Sequence, residues 1–238
     1  MPEPFFIPLD TMNCFLILIG AFCIPVLAAC DGAVVAADGA IQPKASSYYE
    51  FTTYRTDAEG IRTGPFLDTV FVVIEAMQRY GKRGVLGLFK GRPEVDTIFL
   101  CYEANGDLAI TTAELDHEWQ IYPFASKSAR SWTLSDTTYD DGSSYQVKKT
   151  RAHAGSENLI LSGGEVLSCQ IAKDIRTDMR RSSSGDIQRQ TVLVEQFWYP
   201  RSTGYFSRFV TTETVADDAG RTTTTSTERT LTKYHVSK

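Results

Sequence analysis

The chain reads as mainly β, built on a large antiparallel curved sheet, half-barrel or barrel, placed after an apolar N-terminal segment. Three observations predict this. From Tyr48 to the C-terminus, short runs rich in Val, Ile, Phe, Tyr and Thr alternate with Gly, Asp, Asn and Ser turn signals. The runs number roughly ten or more, which points to a large twisted sheet, half-barrel or barrel. No segment after the N-terminal apolar run carries a sustained helical period.

Tyr48 to Thr56 is the first predicted strand and Asp57-Ala58-Glu59-Gly60 its turn. Thr69 to Gln78 has the length of a helix, but Val70 to Ile74 are five consecutive β-formers, so it is assigned as strand, with Gly84 to Phe89 as its hairpin partner. Thr97 to Glu103 and Leu108 to Thr112 flank Ala104-Asn105-Gly106-Asp107. There Asn-Gly supplies the positive φ angles of a tight type I′ turn. His117 to Tyr122 alternates, with Trp119 and Ile121 on one side and Glu118 and Gln120 on the other. Thr138 to Ser144 is a polar turn region and Ser144 to Arg151 a strand. Glu157 to Leu161 and Val166 to Ile175 flank Gly163-Gly164, and the serine-rich loop Arg180 to Gly185 leads into Gln188 to Tyr199. Pro200 and Gly204 make a corner before a return strand, Tyr205 to Val215. Asp217-Asp218-Ala219-Gly220 is a turn, and Arg221 to His235 is a Thr-rich closing strand with a solvated face.

The N-terminus predicts an address. An uninterrupted apolar run from Phe15 ends in Leu27-Ala28-Ala29-Cys30, too short for an ordinary membrane-spanning helix of about 20 residues. These residues resemble a bacterial lipoprotein signal, with cleavage between Ala29 and Cys30. The resemblance implies that residues 1–29 are removed, that Cys30 carries lipid including palmitate, and that the protein is held at a membrane of the bacterial cell envelope, facing the periplasm or exterior. Several acyl chains at about 0.8 kcal/mol per buried CH2 anchor a protein stably. An uncleaved anchor helix is the alternative, and Gly20 and Pro25 disfavour it. Met12 is a second candidate start. Residues 30–47 read as the lipidated N-terminus and a small, polar tether, and 48–238 as a single β-rich domain.

Ser156 to Ile171 and the corner Trp198-Tyr199-Pro200-Arg201-Ser202-Thr203-Gly204 also resemble bacterial envelope β-sheet proteins of unknown function. That resemblance implies a curved antiparallel sheet and no reaction.

A formal charge of −5 from 24 basic and 29 acidic residues offers no footprint for nucleic acid. Outside the signal, Cys101 and Cys169 remain. They either form a disulfide, which an oxidising envelope permits, or stay as two buried thiols. His117, His153 and His235 are not at metal-ligand spacing, no nucleophile elbow or phosphate loop occurs, and Asp140, Asp141 and Asp218 lack the spacing of a calcium loop. Asp116-His117-Glu118 cannot converge on one strand, because neighbours point to opposite faces. Catalytic residues, metal and cofactor are therefore all expected to be absent. Arg180-Arg181-Ser182-Ser183-Ser184 reads as an exposed hairpin loop.

The aromatics Trp119, Trp132, Trp198 and Tyr205 are the candidate ligand surface, on the concave side of the sheet. The expected function is non-enzymatic binding of an apolar ligand or an envelope protein. An envelope hydrolase with a site assembled from sequence-distant residues, and a structural subunit of an envelope assembly, are the alternatives.

Overall fold

The computed structural model describes residues 41–74, 78–82, 86–90, 97–112 and 118–237. Cys30, the predicted signal, most of the predicted tether and His117 lie outside the described residues. Twelve strands follow in order: β1 (Tyr48–Thr56), β2 (Arg62–Ile74), β3 (Leu86–Lys90), β4 (Thr97–Tyr102), β5 (Leu108–Thr112), β6 (Gln120–Tyr122), β7 (Ala129–Thr138), β8 (Ser144–Ile160), β9 (Val166–Arg181), β10 (Ile187–Pro200), β11 (Arg208–Asp217) and β12 (Thr222–His235). Among the described residues there is no helix, and none is long and apolar enough to cross a membrane.

All twelve strands form one antiparallel sheet in the order β6-β5-β4-β3-β2-β1-β12-β11-β10-β9-β8-β7. The first and last strands pair at its centre, Phe51 opposite Leu231. Strands β6 and β7, neighbours in sequence, therefore end up at opposite edges. The sheet curls until these edges approach, yet no ladder joins β6 to β7 among the described residues, so it is curved and not closed. A side chain spans the gap. Arg151 of β8 donates from Nη1 to the Ile121 carbonyl at 3.3 Å and from Nη2 to Gln120 Oε1 at 3.0 Å, both on β6. Its charge is met by Asp174 of β9 through Nε at 2.6 Å and again through Nη2, and both side chains are almost wholly buried.

Six turns are built alike. In Asp57–Ile61, Glu103–Asp107, Tyr139–Ser143, Leu161–Glu165, Ser182–Asp186 and Asp217–Arg221, the fourth-residue glycine donates its N–H to the first carbonyl, and the first N–H bonds the fifth carbonyl. That glycine has positive φ in every case, between 73° and 89° for five of the turns besides Gly106 at 84°. Only glycine takes this conformation at no steric cost. At the Asn105-Gly106 turn this differs from the expected type I′: Gly106 alone has positive φ, and Asn105 instead accepts the Asp107 N–H on its side chain. The geometry is a type I turn followed by a left-handed glycine bulge.

Four other expectations are corrected. β2 starts at Arg62 rather than Thr69, because Arg62 and Thr63 pair with Thr56 and Arg55 and the strand continues past a register shift at Gly64 and Pro65 to pair again from Phe66. β7 was not expected at all, since nine of its ten residues are exposed and only Trp132 and Leu134 alternate within an otherwise polar stretch. β8 runs unbroken from Ser144 to Ile160, with a register shift between His153 and Gly155 where two strands were predicted. Residues 41–47 are docked rather than loose. Ile41 N–H bonds the Arg201 carbonyl, Lys44 N–H the Ser237 carbonyl, Val72 N–H the Ser47 carbonyl, and Ser47 is fully buried.

The corner between β10 and β11 fills the concavity. Thr203, Tyr205, Phe206 and Ser207 are buried there. Tyr49 of β1 and Tyr102 of β4 donate their hydroxyls to the Thr203 and Gly204 carbonyls at 2.7 and 2.5 Å. Burial, with neighbouring tyrosines in support, pushes both phenols far above their usual range. Two aromatic residues at Gly204-Tyr205-Phe206 thus enter the core from a turn, tied down by hydroxyls from across the sheet.

Candidate functional site

Tyr205 and Phe206 of the corner border an apolar basin of about 180 Å³, open to solvent on one side. Its other walls come from Phe51 of β1, Ile98 of β4, Ile110 of β5, Tyr122 of β6, Phe197 of β10 and Phe209 of β11, with Arg208 and Arg229 beside them. Strand alternation explains the placement. Ile98 and Ile110 belong with the Leu100 and Leu108 side of β4 and β5, whereas Phe99, Cys101 and Ala109 pack on the opposite face with Trp119 and Ile121.

The rings hold one another. Tyr122 meets Phe197 edge-on at 4.7 Å, Phe197 lies 4.8 Å from Phe209, and Phe51 meets Tyr205 edge-on at 6.1 Å. Each such pair adds roughly 0.5–1.5 kcal/mol beyond its buried area. The basin is therefore a preformed shape rather than a gap between mobile side chains.

Polar groups sit at its margin. The Arg229 guanidinium lies over Phe51 at 4.2 Å and places Nη2 2.6 Å from Asp68 Oδ2, in poor alignment for a hydrogen bond. Nε of Arg229 and Nε of Arg208 are buried with no hydrogen-bond partner among the described residues. On the other side of Tyr122, the Arg151 guanidinium stacks at 3.8 Å and links the basin wall to Asp174 and, through Asp174, to Lys149 at 3.1 Å. Glu195 lies opposite Asp174 on β10, and burial raises its carboxyl above the ordinary glutamate range, with Lys149 drawing it back.

Of the four aromatics expected to form a ligand surface, the basin takes one. Tyr205 is in its wall. Trp119 packs on the opposite face of the sheet and donates Nε1 to the Tyr80 carbonyl at 3.3 Å. Trp198 alternates with Phe197, and donates Nε1 to Glu157 Oε2 at 2.8 Å with Arg208 over its ring. Trp132 is exposed on the edge strand β7. A surface combining all four does not exist, because Trp119 packs on the opposite face of the sheet and Trp132 lies exposed on an edge strand.

The two cysteines are not bonded to each other. Cys169 lies in the main core against Ser207 Oγ at 3.2 Å, and Cys101 lies in the separate cluster with Phe99 and Ala109. Burial raises both thiols above their usual range. Of the two alternatives, the structure has buried thiols.

The histidines do not meet carboxylates among the described residues. His153 accepts the Gly155 N–H on Nδ1, which leaves its proton on Nε2 facing Gln170 Oε1 at 3.1 Å. His235 stacks on Tyr48. The turn aspartates serve their own backbone: Asp141 Oδ1 accepts from Ser143 N–H and Oγ–H, and Asp217 Oδ1 from Ala219 and Arg221 N–H. Among the described residues, no group of three or more His, Cys, Asp or Glu could hold a metal ion.

Comparison of the chain with protein-family models, with curated proteins and with solved structures finds no match.

Proposed function

We propose that this is a non-enzymatic binding protein of the bacterial envelope, lipid-anchored at Cys30, whose curved sheet takes the apolar end of a small ligand in the basin. The observation that carries the reading is the basin itself: an aromatic-walled space of about 180 Å³, assembled by the corner and six strands far apart in sequence. An apolar cavity of about 150 Å³ binds benzene, so this one fits a single ring or the end of a short acyl chain. The unpartnered Nε–H groups of Arg208 and Arg229 suit a ligand with a carbonyl or carboxylate beside its apolar part. Binding is favoured over hydrolysis because the described carboxylates that meet the arginines around the basin, Asp68, Asp174 and Glu228, are held in ion pairs and no described histidine meets a carboxylate.

Two experiments test the reading. Mass spectrometry of small molecules released from the full-length chain should find an apolar ligand in the wild type and lose it in Ile110→Trp, which fills the basin. Equal recovery from both proteins would place the ligand elsewhere. For the anchor, Cys30→Ala should abolish incorporation of radiolabelled palmitate; normal labelling of that variant contradicts it.

A further inference from the structure

We infer that the opposite end of the concave face is a second, independent site, which binds an acidic saccharide through Arg180 and Arg189. Strands β8 to β12 have 10 to 17 residues against 3 to 6 in β3 to β6, so they extend well past the basin. On β10, Arg189 and Thr191 lie on the same face as Phe197, and on β9 Asp178 and Arg180 lie on the same face as Asp174. With Tyr139, Tyr145 and Glu213 they line a trough of about 530 Å³.

The arginines are the unusual feature. Arg189 is directly opposite Arg180 in the ladder, and Tyr145 is opposite Arg180 on the other side. Like charges directly opposite one another destabilise a sheet. Six other arginines, Arg62, Arg151, Arg176, Arg208, Arg221 and Arg229, each meet a carboxylate. Arg180 and Arg189 form no ion pair among the described residues. Asp178, next along β9, is engaged twice by Arg176, at 2.8 and 2.9 Å, and once by the Tyr145 hydroxyl at 3.3 Å. Asp141 is held by Ser143. On its β11 side Arg189 is opposite Asp217, which Arg221 holds, and the Arg180 charge reaches Asp141 without an ion pair. Two adjacent guanidinium groups with no carboxylate at ion-pair distance present a fork that matches a carboxylate.

The rest of the lining narrows the ligand. Tyr139, about half exposed, and Tyr145 offer flat faces with polar tips. Thr191 and the exposed Glu213 can hydrogen-bond hydroxyls, which a sugar supplies. A phosphate offers no apolar ring face to the two tyrosines, and a neutral sugar would leave the arginine pair without an anion. A carboxylated sugar satisfies each group.

Calorimetric titration of the full-length chain in detergent, with a trimer of galacturonic acid, a neutral trimer of glucose and inorganic phosphate, tests this. The acidic trimer should bind at least about tenfold more tightly than the neutral one. Arg180→Gln and Arg189→Gln should each weaken it by about tenfold or more, the scale of losing one charge-assisted contact. Ile110→Trp should leave it unchanged, which separates this site from the basin. No binding of the acidic trimer, equal binding of the neutral one, full displacement by phosphate, or unchanged affinity in both glutamine variants would each overturn the proposal.

Discussion

Replacing Asp174 by leucine tests whether Arg151 holds the open seam of the sheet. The substitution leaves a guanidinium that is 3% exposed without its counter-ion. Removing one partner of a buried ion pair costs about 3–5 kcal/mol, much of it the burial of the remaining charge. Arg151 keeps the Ile121 carbonyl, Gln120 Oε1 and the Tyr122 ring, so the expected loss sits near the lower bound, about 3 kcal/mol. Lys149, whose side chain is 19% exposed, turns to water at little further cost. In urea, with a slope of about 2 kcal/mol per molar, the midpoint should fall by about 1.5 M. Tryptophan fluorescence follows the transition. Arg62→Ala, which breaks an exposed pair with Glu228, is the control and should cost no more than about 1 kcal/mol. The double variant Arg151→Leu/Asp174→Leu should recover most of the loss, since it leaves no unpaired charge. If Asp174→Leu falls no further than the control, the buried pair is not what carries the seam.

Three further outcomes follow from named contacts. The raised Glu195 carboxyl binds its proton more tightly folded than unfolded, so stability falls as pH rises from the ordinary glutamate range through the raised value and stays lower above it. Glu195→Gln should therefore stabilise the protein at neutral pH and lose that advantage in acid, as read by urea midpoints across pH; an equal effect at every pH would contradict the assignment. Gly204 has φ of 69°, and an added Cβ would meet the Ile41 carbonyl and Pro43 Cδ, the latter at 2.6 Å. Gly204→Ala should release residues 41–47 and expose Lys44 to trypsin, whereas Gly220→Ala, in open space, should cost only about 1 kcal/mol and leave Lys44 protected. In denaturant without reductant, peptides carrying Cys101 and Cys169 should both be fully alkylated; resistance at both would show a bond between them.

Much of the sheet was legible because its information is local. Tyr48 to Thr56 has the β-rich composition and the Asp57 to Gly60 turn that bound a strand, and β1 has those limits. The Thr97 to Thr112 hairpin was placed from Asn105-Gly106, although the turn type was misassigned because the tripeptide before Gly106 adopts the same bulged turn used five more times. The fourth-position glycine recurring between strands was a readable signal that the individual turns obscured. What failed was local too. β7 buries neither face, so its alternation is limited to Trp132 and Leu134, and Gly155 reads as a break although the strand continues through a register shift.

The basin was only partly legible. Tyr205 stood out beside the Pro200 to Gly204 corner, but Ile98, Ile110 and Phe209 carry no mark of their own. They meet because β1 pairs with β12, a contact across nearly the whole domain, and because the sheet then curls. Trp119 and Trp198 attracted attention by size, and alternation placed them away from the basin. Arg151 gave no signal in sequence, since its partners lie 23 and 31 residues away on other strands.

The most direct test of the binding account is a titration of the full-length chain with toluene, followed through the methyl resonances of Ile98 and Ile110. Saturable shifts at these two residues in the wild type, absent at Ile98 in Ile110→Trp while the variant keeps its fold, are the predicted result. Shifts that fail to saturate, or that persist at Ile98 when the basin is filled, would contradict it.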